Sequence, residues 1–189
     1  MIARRARVLA PVVMLSVAAC GSGTRAPAAS GRAGAGLPQR TAVSTAAEIC
    51  GNAVDDNGNG LAEEGCGIPG GLVGFVAAWD EPTADVDLRV IDPSGELAET
   101  GRSTGSGLVK ERDCPGRDGE CRSRNVENVY LERGEILRGD YRVHLRLVSI
   151  GGEEPPIEVR FAARLGQKSY GAVVSLRRVE ESWEVILRL

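Results

Sequence analysis

Histidine is almost absent from this chain and aromatic side chains are scarce: one His, two Trp, three Tyr and two Phe stand among 189 residues. The single imidazole, His144, alternates with Arg142 and Arg146 along a strand pattern, on what reads as an exposed face. Chemistry that needs two histidines, or a histidine held by an acid beside a nucleophile, therefore has no material to work with. Excess charge of one sign is also missing. With 23 Lys and Arg against 26 Asp and Glu, the net charge is −3, so no basic field attracts nucleic acid and that partner class is disfavoured. No CxxC pair, HExxH helix, nucleophile elbow or phosphate-cradling glycine loop occurs. A membrane-spanning run is lacking as well. The stretch from Val8 to Ala19, broken by Pro11 and Ser16, is shorter than the roughly 20 apolar residues that cross a bilayer comfortably.

What is present begins with that same stretch. Arg4, Arg5 and Arg7 precede it as a positive n-region, and it closes on small residues and a cysteine, Val17-Ala18-Ala19-Cys20. This looks like a lipobox, the signal read by the bacterial lipoprotein-processing machinery. The resemblance implies that residues 1–19 are removed and that Cys20 becomes the mature N-terminus. There it carries acyl chains such as palmitate on its sulfur and amine. Two or more chains anchor a protein stably, so the expected first partner is a membrane, reached through lipid. Gly21 in place of Asp after the cysteine resembles outer-membrane sorting in Gram-negative lipoproteins. The alternative is an ordinary secretory signal followed by a coincidental cysteine.

Cysteine arithmetic agrees with export. Setting Cys20 aside leaves Cys50, Cys66, Cys114 and Cys121, an even number that suggests two disulfides. Of the three pairings, Cys50–Cys66 with Cys114–Cys121 is favoured, because each pair brackets one local loop. Redox activity of the second pair is disfavoured, since its spacing lacks the CxxC arrangement that lowers a thiol pKa.

Composition then divides the remainder. Residues 20–47 consist almost wholly of Gly, Ala, Ser, Thr, Pro and Arg without apolar periodicity, which predicts a disordered tether. A coil of about 27 residues reaches about 30 Å root-mean-square. Residues 48–67 form a polar unit bounded by cysteines, and 70–189 have the texture of strands. Leu72 to Trp79 is a continuous apolar run, suited to a buried strand. Val86, Leu88 and Val90 alternate with polar residues, and Asp92-Pro93-Ser94-Gly95 follows as a turn. Val126 to Leu131 reads as a further strand. Tyr141 to Leu147, Ile157 to Leu165, Ala172 to Leu176 and Trp183 to Leu189 repeat the period of two. The predicted fold is all-β: an antiparallel β-sandwich preceded by a signal peptide, a disordered tether and a small disulfide-closed loop.

The 48–67 unit carries the strongest chemical pattern. Asp55, Asn57 and Asn59 fall at positions 1, 3 and 5 of a calcium loop, with Gly60 at position 6 where the chain turns sharply. Leu61 offers its carbonyl at position 7 and Glu63 stands at position 9. Position 12, the bidentate Glu of an EF-hand, is Cys66, so Glu63 or Glu64 must substitute and a Cys50–Cys66 bridge replaces the flanking helices. Expected metal ligands are therefore Asp55, Asn57, Asn59, Leu61, Glu63 and Glu64. The alternative is a pair of Asn-Gly turns in a solvated loop that holds no metal.

On Glu48, Cys50, Asn52, Asp55, Asp56, Asn57, Asn59, Gly60, Glu64, Gly65 and Cys66, residues 48–67 resemble the short MopE-type metal-binding motif of exported bacterial proteins, also described as copper-binding. The chain departs from it at Gly58, where the family commonly has cysteine, and at Ala53, where it has glycine. Oxygen donors without Met, His or free Cys favour calcium over copper, at an affinity on the order of 0.1–1 mM. Residues 70–189 resemble YfaP-like exported domains. The resemblance rests on Trp79-Asp80, Asp85-Val86-Asp87-Leu88-Arg89-Val90-Ile91-Asp92-Pro93-Ser94-Gly95, Asn125-Val126-Glu127-Asn128-Val129-Tyr130 and Gly139-Asp140-Tyr141-Arg142-Val143. Arg89 stands where that family often has His. The resemblance implies a β-sandwich and export, and no reaction.

Asp80, Asp85 and Asp87 form a possible second acidic cluster for a cation, or else simply face solvent from an alternating strand. Glu153-Glu154 beside Pro155-Pro156 reads as a solvated turn. The functional expectation is a non-enzymatic cell-envelope lipoprotein with a weak calcium loop and a β-sandwich that binds or supports. Alternatives are a carbohydrate- or protein-binding accessory module of an envelope assembly, and a hydrolase with a carboxylate-only site.

Overall fold

The computed structural model describes residues 30–32, 46–115, 121 and 125–189. The predicted signal segment 1–19, Cys20 and all of the predicted tether except Ser30–Arg32 and Ala46–Ala47 lie outside the described residues. Among the described residues nine strands are present: β1 Ser30–Arg32, β2 Val73–Trp79, β3 Asp85–Ile91, β4 Leu108–Lys110, β5 Asn125–Leu131, β6 Asp140–Ser149, β7 Ile157–Leu165, β8 Lys168–Leu176 and β9 Ser182–Arg188. They form a four-stranded sheet in the order β1-β9-β6-β3 and a five-stranded sheet in the order β4-β5-β2-β7-β8. Every pairing is antiparallel except β1 with β9. The backbone of Ser30–Arg32, within the stretch read as a tether, thus runs parallel to Glu184–Ile186. The all-β fold in two sheets is the predicted one.

Period-two patterning explains which side chains meet between the sheets. Val86, Leu88 and Val90 of β3, Tyr141, Val143, Leu145 and Leu147 of β6, and Ile157, Val159, Phe161, Ala163 and Leu165 of β7 are all buried in one cluster. Two buried polar tips are satisfied there: the Trp79 Nε1–H donates to the Ala84 carbonyl at 2.9 Å and the Tyr141 hydroxyl to the Leu137 carbonyl at 2.8 Å. Strand β2 is apolar on both faces for a definite reason. Phe75, Ala77 and Trp79 enter the sandwich core, whereas Val76 and Ala78 face outward and are covered, with Val126, by Ala53 and Ile68 of the cysteine-closed segment. Leu72, read as the start of this run, is instead exposed and precedes the strand.

Between β3 and β5 the chain makes a turn-rich excursion closed by β4, a strand that the alternation did not reveal. Its entry is the Asp92 turn. Asp92 Oδ1 accepts the N–H groups of Ser94 at 2.8 Å and Glu96 at 3.1 Å, and Oδ2 accepts the Ser106 hydroxyl at 2.6 Å. Gly107 is required at the far end: its φ is 94°, and a Cβ there would lie 1.5 Å from the Arg133 carbonyl oxygen. Both predicted disulfides are formed, Cys50–Cys66 with Cα atoms 5.4 Å apart and Cys114–Cys121 with Cα atoms 5.8 Å apart. The second is buried in the main core.

Candidate metal centre

The segment 48–67 has few apolar residues with which to fold, and hydrogen bonds to carboxylates organise it instead. Glu63 is fully buried. Its Oε1 accepts the N–H groups of Asn52 and Ala53, both at 2.7 Å, and its Oε2 accepts Gly51 N–H at 2.6 Å. Three consecutive amides thus converge on one carboxylate, an arrangement that an anion stabilises strongly. Bringing them together puts Ala53 at φ 50°, in the left-handed region that favours glycine. Glu48 plays the matching part on the other side, accepting from Asp56, Asn57 and Glu63 amides at 3.1–3.2 Å. Burial raises its carboxyl pKa in spite of these bonds. The Cys50–Cys66 bridge closes the whole.

Within this frame Asp55, Asn57 and Asn59 make local turns with the backbone. Asp55 Oδ2 accepts Gly60 N–H at 2.9 Å, Asn57 Oδ1 accepts Asn59 N–H at 2.9 Å, and Asn59 Oδ1 accepts Leu61 N–H at 2.8 Å. Positions 1, 3 and 5 therefore each turn a side-chain oxygen inward over a backbone N–H. Gly58 and Gly60 take φ of 76° and 89° to allow the reversals. Glu64 Oε1 accepts the amide groups of both Asn57, at 2.6 Å, and Asn59. Two oxygens in this loop are buried without any hydrogen-bond partner, Asp55 Oδ1 and Glu64 Oε2. Of the expected ligands, Asn57, Asn59 and Glu64 are brought together, with Leu61 joined to Asn59 through its N–H and Asp55 to Gly60. Glu63 is turned away, with both oxygens committed to backbone donors.

The loop is fastened to the outer face of the five-stranded sheet rather than set apart from it. Arg160 Nε of β7 donates to the Asn52 carbonyl at 2.9 Å, Asn128 of β5 to the Pro69 carbonyl at 3.1 Å, and Arg112 to the Gly67 carbonyl at 3.0 Å. The remaining nitrogens of Arg160 grip Asp80 at 2.6 and 2.9 Å, holding that carboxyl below the ordinary range through the hydrogen bonds.

Asp80 is consequently not gathered with Asp85 and Asp87. Those two lie on β3, in the other sheet. Asp87 pairs with Arg146 at 2.9 Å and approaches Lys110 at 3.9 Å, and burial, followed by the nearby charges of Asp87 and Asp113, raises the pKa of Asp85. The cluster around Asp87 draws in residues that sequence reasoning did not single out. Lys110 lies 2.9 Å from both Asp113 Oδ1 and Glu127 Oε2, and oxygens of Asp87, Asp113 and Glu127 fall within 4.8 Å of one another. Glu127 is fully buried and also accepts Leu88 N–H at 2.6 Å, tying β5 to β3 across the two sheets. Burial pushes its carboxyl well above the usual range, against the pull of Lys110. A signal for it exists: Glu127 shares strand parity with Val129, which points into the core. The Lys110 ammonium occupies the centre of these carboxylates. His144 is part-exposed and 3.8 Å from Glu184 across the β6–β9 pair.

No protein-family model matches this chain, and neither a curated protein nor a solved structure matches it.

Proposed function

We propose that this is an exported, lipid-anchored cell-envelope protein whose disulfide-closed loop holds a calcium ion against a β-sandwich that serves in binding or support. One observation carries the cation reading. Asp55, Asn57 and Asn59 have the turn-stabilised arrangement of positions 1, 3 and 5 in a calcium loop. Beside it, Asp55 Oδ1 and Glu64 Oε2 are withdrawn from water without a partner, a condition that costs free energy until a cation or donor meets them. Asp55, Asn57, Asn59, the Leu61 carbonyl and Glu64 are the proposed ligands, and Glu63 is the anion that organises the backbone behind them. All of these donors are oxygen, which suits calcium and not copper.

Two closed disulfides favour an oxidising compartment and so support export; the lipid on Cys20 rests on the lipobox resemblance. A binding role is preferred to catalysis because several of the carboxylates that a carboxylate-only hydrolase would use are already engaged. Asp80 is held by Arg160, Asp87 by Arg146 and Lys110, and Glu153 by Thr83.

Calorimetric titration of the full oxidised chain with calcium tests the loop. The expected result is saturable binding on the order of 0.1–1 mM, lost in Asp55→Asn and retained in Asp80→Asn. Absence of calcium heat up to several times that concentration overturns the cation reading. Membrane fractionation and intact mass of wild type and Cys20→Ser test the anchor. A chain that carries no fatty acid at residue 20 refutes it.

A further inference from the structure

A cleft of about 560 Å³, within the size range of small-molecule sites, is lined by the loop and the sheet on which it sits and reaches Phe161 and Trp183. Its floor is the outer face of β2, β7 and β8, where Gly74, Val76, Ala162 and Gly171 stand in neighbouring registers. Small side chains at those positions leave room that Leu or Phe would fill. One wall is the loop itself, through Val54, Asp55, Gly60 and Leu61. Among these, Asp55 and Leu61 are proposed calcium ligands and Gly60 is the turn between them.

Two guanidinium groups border this apolar space, and they are not equivalent. Arg160 is spent on Asn52 and Asp80. Arg164 uses only Nε, on the Gly166 carbonyl at 3.0 Å, and has no acidic partner among the described residues. It is half-buried, and its Nη1 reaches to 3.6 Å from the place a Cβ on Gly60 would occupy. A part-desolvated cation at the edge of an apolar cleft is electrostatically incomplete and attracts an anion of matching geometry.

We infer that the cleft binds a small amphiphilic carboxylate, its alkyl part on the Gly74–Val76–Ala162–Gly171 floor and its head group on Arg164. Calcium strengthens this binding. Asp55 lines the same space, and in the cation-free loop its charge and that of Glu64 repel an anion; a divalent ion held by both cancels that charge. By linkage the ligand raises calcium affinity by the same factor. The calcium dependence rests on the proposed function of the loop, whereas the cleft and Arg164 do not.

The probe is monomeric decanoate, titrated calorimetrically into the full oxidised chain in EDTA and in saturating calcium, with decanol as the uncharged control. The expected result is saturable decanoate binding that tightens about five-fold or more with calcium. Decanol should bind more weakly, and Arg164→Gln should abolish the difference between the two probes. Gly171→Leu should block both probes without unfolding the protein, since a Cβ there meets only the Phe161 carbonyl at 3.9 Å. No decanoate binding in either condition overturns the cleft reading, as does decanol binding equal to decanoate. Binding that ignores calcium while calcium itself binds overturns the coupling. Decanoate binding on a chain that takes up no calcium upholds the cleft and refutes the loop, so the two failures are distinct.

Discussion

Replacing Glu63 by Gln gives the sharpest test of how the loop is held together. The substitution preserves shape and removes charge. The side-chain carbonyl of Gln can still accept from Asn52 and Ala53, where Oε1 now takes two N–H groups at 2.7 Å. The amide NH2, however, replaces the oxygen that accepts Gly51 N–H at 2.6 Å and sets two donors against each other. Two charge-assisted bonds weaken by about 1 kcal/mol each and a third is lost outright with its buried donor unpaired, for a total of about 4 kcal/mol. That corresponds to about a thousand-fold faster exchange of the Gly51, Asn52 and Ala53 amides through local opening. Native-state hydrogen exchange reads those three amides directly, with β2 and β7 amides as an internal reference that should change little. Protection of the three amides within ten-fold of wild type would refute the claim that Glu63 is the organising anion. If Glu63 were instead a metal ligand, its substitution would abolish calcium binding while leaving metal-free exchange untouched.

Other perturbations address the sandwich. Lys110→Met strands the buried Glu127 and should cost about 3–5 kcal/mol in denaturant unfolding; Lys110→Met with Glu127→Leu should recover most of it, and no recovery would count against a paired buried cluster. Asp92, 2% exposed, is destabilised as an anion by burial, but the hydrogen bonds from Ser106, Ser94 and Glu96 prevail and hold its pKa below the ordinary 3.8. A depressed carboxyl stabilises the fold above its unfolded pKa and ceases to do so as pH falls through the folded value, so Asp92→Asn should lower the melting temperature at neutral pH and narrow the gap to wild type below pH 3.8. Gly107→Ala must displace the Arg133 carbonyl and should cost more than about 3 kcal/mol, whereas Gly101→Ala, at φ 76° with nothing within 4 Å, should cost about 1–2 kcal/mol. Similar losses at the two glycines would show that the close approach at Gly107 does not matter.

Much of the fold was legible because periodicity in a β-sheet is a local property. Alternation at Val86–Val90, Tyr141–Leu147 and Ile157–Leu165 assigned both the strands and their inward faces without reference to partners. Cysteine count and loop bracketing were enough to pair Cys50 with Cys66 and Cys114 with Cys121. The spacing of Asp55, Asn57, Asn59 and Gly60 is likewise contained within a few residues, and each of the three side chains accepts a nearby backbone N–H. Sequence alone therefore determined the long strands and the local turns, but neither β4 nor the pairing of Ser30–Arg32 with β9.

Tertiary structure decided what depends on residues far apart in the chain. Glu63 and Glu64 are adjacent and chemically alike, yet one caps the amides of residues 51–53 and the other faces Asn57 and Asn59; no local rule separates them. Asp80 and Asp87 lie seven residues apart, one just past the end of β2 and the other within β3 of the opposite sheet, each with its own arginine. Lys110 and Glu127 meet because β4 pairs with β5, and the cleft exists because Arg160, 108 residues from Asn52, fastens the loop onto the sheet together with Asn128, Arg112 and the packing of Ala53 and Ile68. Charge compensation and enclosed volume are set by three-dimensional proximity, which one-dimensional spacing does not encode.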